Sequence, residues 1–105
     1  MENLVENVKV FITNSEVSLE TKEVVNRAIK YGFNCVYTQV NNRLPGENLT
    51  KHVENILNNV LCDIENIPGR IWNGKVLLWG EYVSPTKFLN EYTKLYIDYV
   101  QSFRK

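Results

Sequence analysis

Three polar residues stand where two short apolar runs end. Asn14 and Ser15 follow the run Val8–Thr13, and Glu81 comes soon after the run Lys75–Trp79. If both runs are parallel strands of an open α/β sheet, these residues meet at the carboxyl edge, where such sheets bind their ligands. Glu81 would then be the carboxylate available for acid–base or nucleophilic chemistry. This edge supports one functional hypothesis, a small enzyme or sensor that binds a nucleoside or nucleotide-like ligand.

Metal, phosphate-loop and thiol chemistry have less support. The chain has no glycine-rich phosphate loop of the GxGxxG or GxxxxGK[ST] type. Cys35 and Cys62 form no CxxC pair, and His52 is the only histidine, which is too few ligands for a structural zinc site. Cys62 and His52 also project to different sides of one predicted helix, roughly three turns apart. We therefore expect no metal, no cofactor and two free thiols.

Aromatic side chains are concentrated in the last third of the chain. Trp72 and Trp79 flank an Asn73-Gly74 step, and a helical stripe carries five more rings, with Ile97 on the opposite side. Because interface cores are enriched in Trp, Tyr and Phe, we expect this helix to bury part of the stripe or the Ile97 side against a partner or a second copy. The alternative is that the stripe packs on the sheet with its hydroxyls at the rim. The stripe consists of Phe88, Tyr92, Tyr96, Tyr99 and Phe103, and the candidate binding residues are Tyr92, Tyr96, Tyr99, Trp72 and Trp79.

The first half of the chain has the pattern of a βαβ unit. Val8–Thr13 and Phe33–Val40 are short apolar runs rich in β-branched residues, which predict two strands. Ser18 is a suitable N-cap for a helix between them, and Gly32 is a suitable stop. Strand, helix and strand in this order predict a parallel pair with a right-handed crossover.

The second half adds two helices and a hairpin. From a cap at Asn48, Leu49–Ile64 gathers its apolar residues in an arc of about 140°, as expected of a helix packed on a sheet. Asn73-Gly74 between apolar runs predicts a hairpin, because both turn positions take positive φ. Ser84-Pro85 opens the last helix with a cap residue and a proline in the first turn. The order β-α-β-α-(β)-β-α predicts a small α/β domain of two or three layers, with a mainly parallel sheet of three main strands and a hairpin edge.

Two partial resemblances accompany this reading. The element order is similar in outline to nucleoside deoxyribosyltransferases and to Toll/interleukin-receptor-type domains, an analogy of order alone. Gly46–Leu49 and Val76–Trp79 resemble short stretches of barstar-type ribonuclease inhibitors, whose helix carries acidic residues that block the enzyme. Here the residue after Leu49 is Thr50, and Glu54 alone keeps an acid nearby. The chain also ends in a predicted helix where that family ends in a strand, so neither resemblance assigns it to a family.

Composition bounds the remaining possibilities. A chain of 105 residues, 44% of them hydrophobic, can fill one core, so we expect a single domain over residues 1–105. Lys plus Arg and Asp plus Glu number twelve each and are mixed along the chain, which gives no field toward nucleic acid or an anionic membrane. No segment resembles a signal peptide or a membrane span, so we expect a cytoplasmic protein.

Two functional hypotheses from different classes follow. We favour a small stand-alone interaction or regulatory protein, of the inhibitor, immunity or phage counter-defence type, that binds a protein partner or itself through its aromatic residues. The preference rests on the absence of a visible catalytic constellation in the sequence. The alternative is the small enzyme or sensor with its cleft around Asn14, Ser15 and Glu81.

Overall fold

The computed structural model describes residues 2–44 and 49–103. This part of the chain is 75% helix, with four helices and one small antiparallel sheet. The predicted α/β fold is therefore wrong, since none of the strands in the described ranges run parallel. The elements are α1 (Glu2–Asn14), α2 (Leu19–Arg43), α3 (Leu49–Asn66), β1 (Ile71–Trp72), β2 (Lys75–Leu78), β3 (Glu81–Val83) and α4 (Pro85–Ser102).

Both segments predicted as the parallel strand pair are helical. Val8–Thr13 lies in α1, and Phe33–Val40 forms the C-terminal half of α2. β-Branched residues lower helix propensity only slightly, so burial at helical spacing overrides it. Val10, in the middle of the first run, is left 54% exposed. Buried residues recur three or four positions apart in α1 and in this half of α2. They are Leu4, Val8, Ile12, Phe33, Val36 and Val40.

Gly32, predicted to end a helix, lies inside α2 at its contact with α4. A Cβ atom at this position would be only 3.0 Å from the methyl carbon Cγ2 of Thr86. The glycine therefore permits a close approach of two helices and does not reverse the chain. At about 1.5 Å per residue, the 25 residues of α2 extend about 37 Å, close to the 38 Å length of the whole molecule.

Several signals at the ends of elements are confirmed. Ser18 caps α2 by accepting a hydrogen bond from the Thr21 N–H, and Ser84 caps α4 by accepting one from the Lys87 N–H. The apolar stripe of α3 is buried along its length, and Asn73-Gly74 forms the predicted hairpin turn. Asn48, predicted to cap α3, lies outside the described residues.

One hydrophobic core joins the helices and the sheet. α2 lies against α4 and α3, and β2 closes the core by burying Val76 and Leu78. No helix within the described ranges is both long enough and apolar enough to cross a membrane.

A carboxylate connects the start of α2 to the end of α3. Glu65 accepts hydrogen bonds from the Ser18 N–H at 3.1 Å, the Ser18 hydroxyl at 2.9 Å and the Thr21 hydroxyl at 2.6 Å. The Thr21 bond, followed by the Ser18 bonds, lowers the pKa of Glu65 below its ordinary value of 4.5, and partial desolvation opposes this shift.

We expect Glu65→Gln to destabilise the protein at neutral pH and to have less effect in acid. Because the folded pKa lies below the unfolded value, stabilisation by the carboxylate is present above the unfolded pKa and is lost as pH falls through the folded pKa. Urea unfolding from about pH 7 to about pH 3 should give wild-type and variant stabilities that converge. Glu23→Gln, at an exposed position of α2, is the control. A Glu65→Gln deficit that stays constant across this range would contradict the assignment.

Candidate functional site

The three strands form a β-meander with one buried and one open face. Val76 is paired with Ile71 on one side and with Val83 on the other, and these residues face the core. Successive side chains of a strand point to opposite faces, so the neighbouring positions point outward. We call these positions the outer face; they are Trp72, Lys75, Leu77 and Tyr82.

Two aromatic side chains hold each other in place on the outer face. The ring centroids of Trp72 and Tyr82 lie 5.5 Å apart, although the residues belong to the two edge strands. The Tyr82 hydroxyl donates a hydrogen bond to the Gly69 carbonyl oxygen at 2.6 Å, which fixes the far end of that ring. Trp72 nevertheless remains 61% exposed. The outer face therefore presents a positioned aromatic surface to solvent.

The meander has two tight turns of the same kind and different sequence. Asn73-Gly74 joins β1 to β2 with φ values of 53° and 74°, and Trp79-Gly80 joins β2 to β3 with φ values of 49° and 86°. Asn is suited to such a position, whereas a bulky residue there is an outlier. The strand predicted through Trp79 is therefore one residue too long, and the second turn was not predicted, although the Gly80 that follows is a usable signal.

The packing of the Trp79 side chain does little to offset the cost of its positive-φ backbone conformation. Its side chain is 74% exposed, the largest exposed fraction among the big apolar residues of the described ranges. A non-glycine residue at positive φ costs on the order of 1 kcal/mol, and such outliers cluster at functional sites. A tryptophan at this turn position therefore lowers the stability of the folded protein and leaves the indole ring exposed to solvent.

Arg70 anchors the meander to the helices. Its guanidinium lies 3.0 Å from the Asp63 carboxylate of α3 and 5.1 Å from the ring centroid of Phe88 in α4. Its carbonyl oxygen accepts a hydrogen bond from the Leu77 N–H at 2.8 Å. One residue thus ties β2 to two helices and sets the orientation of the outer face.

The predicted stripe of α4 is divided between the core and the surface. Phe88 is buried, and Tyr92 and Tyr96 are half-buried. Tyr99 and Phe103 are 64% and 71% exposed, and their rings meet edge to face at 4.9 Å.

The two half-buried tyrosines of α4 face α3. The Tyr96 hydroxyl lies 3.0 Å from Nδ1 of His52 and accepts a longer hydrogen bond from Asn55 at 3.4 Å. Burial, and then the nearby Asp63 carboxylate, raise the pKa of Tyr92. Both residues therefore belong to the contact between helices, and Tyr96 is less suited to a docking surface than Tyr99.

Ile97 is fully buried, so the expectation that its side of α4 is an interface is wrong. α4 is rotated so that Leu89, Thr93 and Ile97, spaced four apart, face the core. The Thr93 hydroxyl is satisfied there by donating to the Leu89 carbonyl oxygen at 2.8 Å.

The polar residues assigned to a strand-end cleft do not meet. Asn14 and Ser15 line a groove of about 510 Å³ between the end of α1 and α3, beside the exposed Cys62. The Ser15 hydroxyl donates to the Phe11 carbonyl oxygen at 2.8 Å, and Glu81 lies on β3 and does not line this groove. The described ranges contain no parallel sheet that could join them, so the predicted strand-end cleft is absent from this part of the chain.

Over residues 2–44 and 49–103, no group of three or more His, Cys, Asp or Glu side chains is placed to hold an ion. Cys35 and Cys62 are both exposed free thiols.

No family model, curated protein or solved structure matches this chain. The candidate site therefore rests on geometry.

We expect Trp79→Asn to increase the free energy of unfolding by about 1 kcal/mol. Asn tolerates the left-handed conformation, and the ring that is lost is largely in water. Urea unfolding measures the change. The matched control is Trp72→Asn, which should destabilise the protein because Asn is disfavoured in strands and the contact with Tyr82 is lost. Destabilisation by Trp79→Asn would contradict this account and assign the indole ring to the fold.

Proposed function

We propose that this chain is a protein-binding module whose partner docks on the outer face of the meander together with Trp79. The observation that carries the proposal is the exposure of Trp79 at positive φ, beside a turn of the same kind that uses Asn. Trp and Tyr are the residues most often found as energetic anchors of protein interfaces. The favourable free energy of partner binding would offset the cost of the Trp79-Gly80 turn in the free protein.

The shape and charge of this surface favour a protein over a small ligand or a nucleic acid. None of its residues lines the groove of about 510 Å³ between α1 and α3, and none lines a second groove of about 700 Å³ that lies between α1 and α2. The surface carries both signs of charge, with the exposed Lys75 on the outer face, the exposed Glu81 at the start of β3 and Arg27 close to Gly74. Stacking of nucleic-acid bases would instead call for a basic groove around the rings.

A regulatory role fits such a module. The outer face is held by the Trp72–Tyr82 contact and by the Arg70 anchor, so little ordering entropy would oppose binding. An inhibitor, immunity or counter-defence protein acts in this way, by occupying a surface of its target. Two exposed thiols, Cys35 and Cys62, favour a reducing compartment such as the cytoplasm as the place of action.

Self-association through α4 is the second candidate. Leu95, Tyr99 and Phe103 follow one another four residues apart and are 49%, 64% and 71% exposed. This edge of α4 is separate from the outer face, so variants can test the two surfaces independently.

The test compares partner binding by wild type and by a Trp72→Ser/Trp79→Asn variant. Proteins from the native host that bind the immobilised wild type and not the variant are identified, and the purified partner is titrated against both. We expect the variant to bind at least about thirtyfold more weakly, as the loss of interface anchors worth about 2 kcal/mol or more implies. Its helical circular dichroism should stay the same, because both rings are mainly exposed.

Tyr99→Ser/Phe103→Ser is the matched control, with two exposed rings removed from α4. It should bind the partner like wild type. The proposed surface would be wrong if the partner bound the tryptophan variant but not this control. It would also be wrong if every captured protein bound wild type and the tryptophan variant equally well. A wild type that sediments as a dimer, with a monomeric α4 variant, would support the second candidate.

A further inference from the structure

A groove of about 700 Å³ lies between α1 and α2, on residues that the proposed protein interface does not use. Val5, Ile29 and Phe33 give it an apolar floor, and the last two are 7% and 8% exposed. Its volume is within the range of small-ligand sites, which combine apolar walls with a few polar groups.

The charged residues that line the groove have one sign. Lys9 comes from α1 and Lys30 from α2, and none of the described residues that line the groove is acidic. Among the described residues, the Lys9 ammonium has a long ion pair with Glu6 at 3.9 Å; the Lys9 side chain is 62% exposed, so this pair is worth little in water. A third cation, Lys22, donates to the Thr13 carbonyl oxygen at 3.1 Å, and Thr13 lines the groove.

An aromatic ring supports the cation on α2. The Lys30 ammonium lies 5.4 Å from the ring centroid of Tyr31, which is 69% exposed and also lines the groove. Amide groups of Asn26 and Asn34 add neutral hydrogen-bonding capacity on the same helix. The lining therefore combines an apolar floor, two cations and amide groups.

We propose that this groove binds a small organic anion with an apolar body. The anionic group lies between the ammonium groups of Lys9 and Lys30, and the apolar body covers Ile29 and Phe33. This site is independent of the proposed protein partner, because it lies on the first two helices and not on the meander.

A pair of fluorescent probes tests the site. 8-Anilinonaphthalene-1-sulfonate is an apolar body with an anionic group, and N-phenyl-1-naphthylamine has the same rings without the sulfonate. Both are titrated against wild type, Lys9→Gln/Lys30→Gln and the control Lys51→Gln/Lys87→Gln, whose lysines are exposed on α3 and α4. Backbone amide shifts in nuclear magnetic resonance spectra locate the bound sulfonate probe, and thermal unfolding confirms that the variants fold.

We expect saturable binding of one sulfonate probe, with amide shifts concentrated in α1 and in the segment of α2 around Ile29. Lys9→Gln/Lys30→Gln should raise the Kd of the sulfonate probe by about five- to tenfold, as expected from the loss of two solvent-screened ion pairs. The Kd of the neutral probe should stay the same. The control variant should bind both probes like wild type. An unchanged Kd in Lys9→Gln/Lys30→Gln, shifts centred on the meander or α4, or no saturable binding would each overturn the site.

Discussion

The contact of α2 with α4 at Gly32 is the constraint on which the rest of the structure depends. Because Gly32 has no side chain, the Thr86 methyl group can approach the α2 backbone, and α2 continues as one long helix through the core. The Ser84 cap starts α4 directly after β3, and the rotation of α4 that buries Ile97 leaves Tyr99 at the surface. This rotation divides the aromatic residues of α4 between the core, where Phe88 lies, and the surface, where Tyr99 and Phe103 lie.

The sequence predicted local features of the fold better than its class. The capping roles of Ser18 and Ser84-Pro85 and the turn at Asn73-Gly74 depend on neighbours in the chain, so they can be inferred from sequence alone. Gly32 acts through Thr86, which is distant in sequence, and a glycine at a helix crossing has the same local signature as a glycine at a helix end. A helix stop at Gly32 leaves Phe33–Val40 as a separate apolar run, and together with the run Val8–Thr13 it predicts a parallel sheet that the structure does not contain within the described ranges.

The sequence predicts that aromatic residues form the candidate site, but it does not predict how they are arranged in space. Trp72 lies beside the hairpin turn as predicted, whereas Trp79, predicted to end a strand, lies in a second turn. That turn and the contact of Trp72 with Tyr82 depend on strand register, which the sequence does not specify for strands this short. The division of the α4 stripe depends on which neighbours cover it. The side of α4 that carries Ile97 was predicted wrongly because the five aromatic residues define a different apolar face of the helix. Packing against α2 instead determines the rotation of α4.

The proximity of Gly32 to Thr86 can be measured directly in solution. A nuclear Overhauser experiment on isotope-labelled protein detects magnetisation transfer between the Gly32 α-protons and the Thr86 methyl protons. We expect a strong cross-peak, because one α-proton points to the place where a Cβ would lie 3.0 Å from the methyl carbon. Absence of this cross-peak, with extended-chain chemical shifts over Phe33–Val40, would contradict the account and restore the strand.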